Sequence, residues 1–212
     1  MLVNNILVNN LRMIIGEIKM SKEIEIRNRL YNKEDILKFF SDKKINIYKQ
    51  SHQVDTYFDN PADSFFKDIN HVNDWIRIRN EDGCLSFNYK HWLPEGAEVR
   101  TYCEEEEYPM NSKEDLQLIL DRLGFKGHFE PIVIVDKRRT SFIYRDCEVS
   151  IDEVKNLGTF IEIEYKGNNK NITQVQGFLK SILKDISANI GPDDYKGHAY
   201  HLFLKNKNGK NS

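Results

Sequence analysis

The chain has 212 residues, of which 40% are hydrophobic and 30% charged, with 31 Lys and Arg against 33 Asp and Glu. That length suits one domain around one core, and a net charge of -2 excludes a global basic field for nucleic acid, so any anion must be met by local placement of charge. No apolar run approaches the roughly 20 residues of a membrane helix, and Cys84, Cys103 and Cys147, odd in number and without CxxC spacing, speak against disulfides or a zinc site and for a reducing cytoplasm.

Residues 1–20 alternate Asn with aliphatics and lack both a basic n-region and a small-residue cleavage site, so they read as a dispensable extension rather than a signal peptide. Met20 is an alternative start, and a docked N-terminal helix is the other reading. Strands follow over 23–30, 53–59, 74–80, 85–92, 98–108, 132–144, 148–154 and 159–165, from β-rich composition or alternation. Helices interrupt them at Asn32 and Ser112, each a capping residue followed by an acidic turn, and the second stops near Gly124. The plan is strand, helix, three strands, then the same again, closed by helices over 173–189 and 195–204. Two such halves predict an α+β fold: a closed eight-stranded antiparallel barrel with helices outside, closure being the way such a sheet avoids exposed edges.

Alternation then divides the faces. Glu23-Ile24-Glu25-Ile26-Arg27 sets three charges against two isoleucines, and Ile76-Arg77-Ile78-Arg79, Lys90, Lys137 with Arg139, Asp152, and Ile161-Glu162-Ile163-Glu164 repeat the arrangement. A solvated outer face would alternate in the same way. Here, however, like charges neighbour one another, Glu with Glu and Arg with Arg, and such pairs need counter-charges, which inward-facing strands supply. The interior cations are then Arg27, Arg77, Arg79, Lys90, Arg100, Lys137 and Arg139; the anions are Glu23, Glu25, Glu104, Glu106, Asp152, Glu162 and Glu164. Counting from Arg100 places Glu104 and Glu106 inside, whereas a bulge would substitute Glu105 and Glu107; the even pair is expected. Arginine forks and lysines neutralise phosphate oxygens, while Mg²⁺ or Mn²⁺ takes carboxylate and phosphate oxygen, so the tunnel suits a metal-bound polyphosphate.

These residues resemble, in order, the motifs of the CYTH domains, the triphosphate tunnel metalloenzymes that include class IV adenylate cyclases and thiamine triphosphatases. Glu23 to Arg27 is similar to the ExExK signature with arginine for lysine, Asp55-Thr56-Tyr57-Phe58-Asp59 to D-x-Y-F-D, Trp75 to Arg79 to L-R-I-R, and Lys137-Arg138-Arg139 to K-x-R. Asp152 to Glu164 resembles the D-x-V-x-x-L-G-x-F-x-E-I-E close, and Gly197 to Leu204 the S-Y-x-x-L-L ending of the cyclase branch.

The resemblance implies a CYTH domain over 21–207, with 208–212 a disordered tail. It implies that Glu23, Glu25, Asp152, Glu162 and Glu164 hold Mg²⁺ or Mn²⁺, with Glu23, Glu25 and Arg27 as catalytic residues. Arg77, Arg79, Lys90, Arg100, Lys137 and Arg139 would grip the triphosphate, and Glu104 and Glu106 would be additional tunnel acids. The expected reaction is conversion of ATP to cyclic AMP and pyrophosphate. The alternatives are a triphosphatase acting on tripolyphosphate, thiamine triphosphate or a nucleotide, and a non-catalytic polyphosphate-binding module. The expected partner is a small triphosphate, ATP or tripolyphosphate, with neither membrane nor nucleic acid, in a cytoplasmic protein for which a homodimer is an admissible assembly. His198 and His201, three apart, read as packing or surface residues for want of a third ligand.

Overall fold

A computed structural model of the chain describes residues 19–66, 72–95, 97, 99–125 and 127–209. Residues 1–18 of the expected extension, Glu98 at the expected start of a strand, and 210–212 of the expected tail lie outside the described residues. In chain order the elements are β1 (Lys19–Glu23), β2 (Glu25–Leu30), α1 (Lys33–Asp42), β3 (Lys49–Asp59), β4 (Asp74–Glu81), β5 (Cys84–Leu93), β6 (Tyr102–Met110), α2 (Asp115–Leu123), β7 (Glu130–Tyr144), β8 (Cys147–Val154), β9 (Gly158–Tyr165), α3 (Ile172–Ile186), β10 (Ile190–Asp193) and α4 (His198–Gly209). The strand-helix-three-strand repeat is present twice.

All strands join one antiparallel sheet in the order β1-β6-β5-β4-β3-β7-β8-β9-β2-β10. There are ten strands among the described residues where eight were expected, for two reasons. Ile24, turned into an apolar cluster and only 4% exposed, interrupts the first strand, and β10 adds a short strand beside β2. On either side of the break, β1 pairs with β6 (Lys22↔Glu104) and β2 pairs with β9 (Glu25↔Glu164). The sheet curls as a half-barrel, and the single segment 19–30 borders a strand from each half of the chain.

The convex face carries most of the core. In α3 the buried residues Val175, Leu179, Ile182 and Ile186 fall at helical spacing on one side. With Ile36 and Phe40 of α1 they pack on Val149, Ile151, Ile161 and Ile163. Ile119 and Leu120 of α2 cover Ile76, Ile78, Phe87 and Tyr108. Full burial of each such side chain stabilises the fold by about 1.5–3 kcal/mol, which anchors the sheet with its apolar side out and its charged side in. α4 differs: Ala199, Tyr200 and Leu202 pack with Val133, Val135 and Phe160, residues that share a strand face with Lys137, Arg139 and Glu162, so this helix covers part of the concave side.

Local chemistry sets the ends. Asn32 caps α1 by accepting from the Glu34 N–H, and Asn171 caps α3 by accepting from that of Gln174. α2 ends at Gly124 (φ +85), as expected, but begins at Asp115 rather than beside Ser112, because the Asp115 carboxylate turns back to accept from the backbone N–H groups of Asn111 and Ser112. Among the described residues no helix is long and apolar enough to cross a membrane.

Candidate active site

Alternate residues of β1–β7 and β9, with Arg100 from the loop before β6, project from the concave face into one pocket, whose wall includes Glu23, Glu25 and Arg27, Arg77 and Arg79, Lys90, Arg100, Lys137 and Arg139, and Glu162 and Glu164. Asp152 lies directly behind that wall, fully buried. The inward reading of the charged faces therefore describes the molecule: the structure brings together the carboxylates and cations that alternation selected, apart from Glu104 and Glu106.

Two buried carboxylates each hold a pair of cations. Asp55 on β3 accepts from Arg79 Nε and Nη2, both at 2.7 Å, and from Arg77 Nη1 at 3.1 Å. Asp152 on β8 accepts from Lys137 Nζ at 2.6 Å and from Arg139 Nε and Nη2, both at 2.7 Å. Burial would raise both carboxyls, but Arg77 and Arg79 in one case, and Arg139 and Lys137 in the other, hold them well below the usual range. Burial and the adjacent Arg139 pull Lys137 down to about 8 despite Asp152. Arg27 spans two acids, donating from Nη2 to Glu25 at 2.7 Å and to Glu162 at 2.8 Å; Glu162 also accepts from Arg139 at 2.7 Å. These cations keep Glu162 ionised against the cost of its burial.

At the other extreme, Glu23, Glu25 and Glu164 lie close to one another and each has a single cation partner, Lys90, Arg27 and Lys166 respectively. Glu25 and Glu164 are register partners across β2 and β9. Burial followed by repulsion from Glu162 raises Glu25, and burial followed by repulsion from Glu23 raises Glu164 to about 7. Glu105 rises to about 7 through burial and a hydrogen bond shared with Glu23, even though Lys90 Nζ is 3.4 Å away. Lys90 bonds Glu23 at 2.5 Å and, with Glu105, keeps that acid low despite burial. Oxygen-only ligands that repel one another in a half-dry wall fit a hard divalent cation, which would lower all of them together. Among the described residues no three such side chains already converge at ligand distance, so an ion here would draw them in. The predicted metal set is thus divided: Glu23, Glu25 and Glu164 each have a single cation partner, whereas Asp152 and Glu162 are each engaged by two.

The expectation for Glu104 and Glu106 is corrected. Glu104 is exposed, and Glu106 accepts from the Tyr108 hydroxyl; Glu105 and Glu107 line the pocket instead. No bulge is involved, since β5 and β6 keep one continuous register. Arg100 precedes the strand, which begins at Tyr102, so counting from it carries the wrong phase. Arg100 does reach the pocket. It is 5% exposed, has no carboxylate partner among the described residues, and leaves Nε without a hydrogen bond; burial lowers its guanidinium.

Sequence reasoning missed several participants. Asp55 stood within a quoted motif without a role, though its position two residues before Tyr57 on the inward phase was the available signal. Asn88, which accepts from Arg77 at 3.3 Å and donates to Glu105 at 2.9 Å, carried the same signal, two residues before Lys90 on the polar face of Phe87-Asn88-Tyr89-Lys90. His198 packs edge-on to Phe160 at 4.6 Å in the pocket wall, with Nδ1 3.9 Å from Asp152. Burial and the cations Arg27 and Lys137 lower it to about 3, which keeps it neutral. His201, in contrast, bonds Asp194 at 2.9 Å. Asp194 in turn donates its backbone N–H to the Arg27 carbonyl at 2.7 Å, which brings the 193–197 strap over that arginine.

The family model of the CYTH domain matches residues 21–188. A provisionally named adenylate cyclase of Methanocaldococcus jannaschii is 28% identical over 179 residues, 84% of this chain and 95% of the relative. Among solved structures, a Pyrococcus horikoshii OT3 protein is 24% identical with a TM-score of 0.62, the match spanning 87% of this chain and 99% of that one. A Hippeastrum protein, provisionally an adenylyl cyclase and described as having a dominant triphosphatase activity, is 20% identical with a TM-score of 0.58, over 87% and 96% of the two chains.

Proposed function

The chain belongs to the CYTH family, and on that premise we propose that its charged pocket binds a triphosphate together with Mg²⁺ or Mn²⁺ and cleaves it, first as an adenylate cyclase. The observation that carries this reading is the division of the wall into cation pairs braced from behind by buried carboxylates and an acid-rich end where Glu23, Glu25 and Glu164 each have a single cation partner and Glu25 and Glu164 are raised by burial and neighbouring acids. A phosphate chain alone would meet nearly as many anions as cations there. Taking the segment 19–30 as one strand shared by both ends of the curl gives the closed eight-stranded tunnel of this reading, within a domain spanning 21–207.

Arg77, Arg79, Lys90, Lys137 and Arg139 take the phosphate oxygens. Asp55 and Asp152 fix the guanidinium and ammonium groups before the ligand arrives, so little reorganisation is left for the reaction. Glu23, Glu25 and Glu164 hold the divalent ion, with Glu162 reaching it only by sharing itself with Arg27 and Arg139. A bound ion supplies charge neutralisation on the phosphate oxygens and polarises the phosphorus under attack. Arg27, held between Glu25 and Glu162, sets the spacing of those acids. In the cyclase reaction the ribose 3′-oxygen bonds to the α-phosphorus, the bond to the bridging oxygen breaks, and pyrophosphate leaves as the hydroxyl proton passes to solvent. The Methanocaldococcus jannaschii relative supports this order of readings. The Hippeastrum protein supports a second one, in which water attacks the terminal phosphorus, the bond to its bridging oxygen breaks, the diphosphate part departs and the attacked phosphoryl group is released as orthophosphate.

Incubation with ATP, thiamine triphosphate or inorganic tripolyphosphate, with Mg²⁺ or Mn²⁺, and chromatography of the products tests the proposal. Cyclic AMP with pyrophosphate is the expected result, and orthophosphate would move the assignment to the triphosphatase. No turnover of any of the three with either metal refutes both.

A further inference from the structure

We propose that Trp92 and Arg100 form a subsite for the aromatic base of a nucleoside triphosphate, so that the pocket selects nucleotides by the group attached to the phosphates. This rests on the triphosphate reading above and removes Arg100 from the phosphate grip. Each strand-borne cation of the pocket that alternation selected is tied to a carboxylate; Arg100, which comes from the loop before β6, is not tied to one among the described residues. It is 95% buried by residue, lines the pocket, and leaves Nε unpartnered. Tyr200 lies near enough to interact with the guanidinium, but a buried Nε–H without a hydrogen bond is costly unless a ligand completes it.

Its position adds to the argument. Thr101, the next residue, donates its N–H to the Leu93 carbonyl at 2.9 Å, and Trp92 stands opposite Cys103 in the β5–β6 register. Arg100 therefore enters the pocket at the same end of the β5–β6 ladder as Trp92, beyond Lys90. Trp92 lines the same pocket half-buried and packs against the apolar cluster that includes Trp75, Val135 and Ala199. Trp75, Val135 and Ala199 add apolar wall. A bare phosphate chain has no use for such surface. An aromatic base does: the indole face stacks on it, and the planar guanidinium donates to ring nitrogens or carbonyls and stacks in its own right. The thiazolium ring of thiamine triphosphate is cationic and would face Arg100 as a like charge, so the geometry favours a neutral base.

Titration calorimetry with Mg²⁺ on the full chain distinguishes the cases. Trp92→Ala and Arg100→Gln are each expected to weaken ATP binding about ten-fold, with tripolyphosphate affinity changed less than about three-fold and Trp92→Phe close to the parent. If Trp92→Ala does not fold, Trp92→Phe and Arg100→Gln carry the comparison. A parallel loss for tripolyphosphate would overturn the proposal by making Arg100 a phosphate ligand, and so would parent protein that binds thiamine triphosphate as tightly as ATP. Parent protein that binds neither ATP nor tripolyphosphate would overturn the functional reading itself, and this subsite with it.

Discussion

Replacing Glu164 by Gln should stabilise the metal-free protein at alkaline pH while weakening its use of metal. Burial and Glu23 raise this carboxyl from 4.5 to about 7, so between those values the folded chain holds a proton that the unfolded chain has released. Stability is then fully present below about pH 4.5 and is lost as pH rises through about 7. At about 1.4 kcal/mol per tenfold change, the ionised carboxylate costs about 3 kcal/mol at pH 8. Gln removes that cost. The ion pair with Lys166 at 2.5 Å is lost as well, but its effect is already contained in that raised value. The net expectation is a gain of about 3 kcal/mol at pH 8, shrinking to nothing at pH 4.5. Urea unfolding in EDTA at both pH values measures it; adding Mg²⁺ at pH 8 should then stabilise the parent more than the variant. A variant less stable than the parent at pH 8, or a difference independent of pH, would refute the crowding of acids from which the metal site was argued.

Asp55→Asn should act in the opposite sense, costing about 3–5 kcal/mol in thermal or urea unfolding by leaving Arg77 and Arg79 without their shared carboxylate. Full stability in that variant would mean the two guanidiniums are held by other groups. Glu162→Gln should abolish metal-dependent turnover with the fold intact by circular dichroism, whereas Arg77→Ala should chiefly weaken triphosphate binding in calorimetry. Full activity in both would disconnect these charges from the chemistry. Chelation of divalent ions should remove turnover reversibly, activity returning with Mg²⁺ or Mn²⁺, and chelator-resistant turnover would exclude the acid-rich end as a metal site.

Much of this architecture was legible because period-two alternation is a local property. Arg77 with Arg79, Lys137 with Arg139, and Glu162 with Glu164 share a face wherever their strand runs straight, and the duplicated strand-helix-three-strand plan needed only turn and cap signals. What failed were the places where a strand's extent depends on distant packing. Nothing local to Ile24 says that the first strand breaks there; the break follows from the cluster it joins with β7–β9 and α3. Nor does the string Arg100 to Glu107 reveal that its first two residues lie outside the ladder, which is why the acid pair was placed one residue out of phase. His198 and the 193–197 strap reach the pocket from the far end of the chain, a contact that no spacing rule carries.

That first segment bears on how the protein comes to exist as well as on its shape. Glu25 faces Glu164 across a hydrogen-bonded pair of strands, so the acid-rich end joins one of the earliest described strands to one made much later. A ribosome releases the Glu25 strand long before its β9 partner has been synthesised, and contacts of such sequence separation form late and slowly. The nascent chain therefore exposes a charged strand edge with no neighbour, and its cation pairs can assemble in each half before any metal-holding acids meet. On the proposed function, fragments and stalled intermediates of this protein would retain phosphate affinity without the means to cleave what they hold.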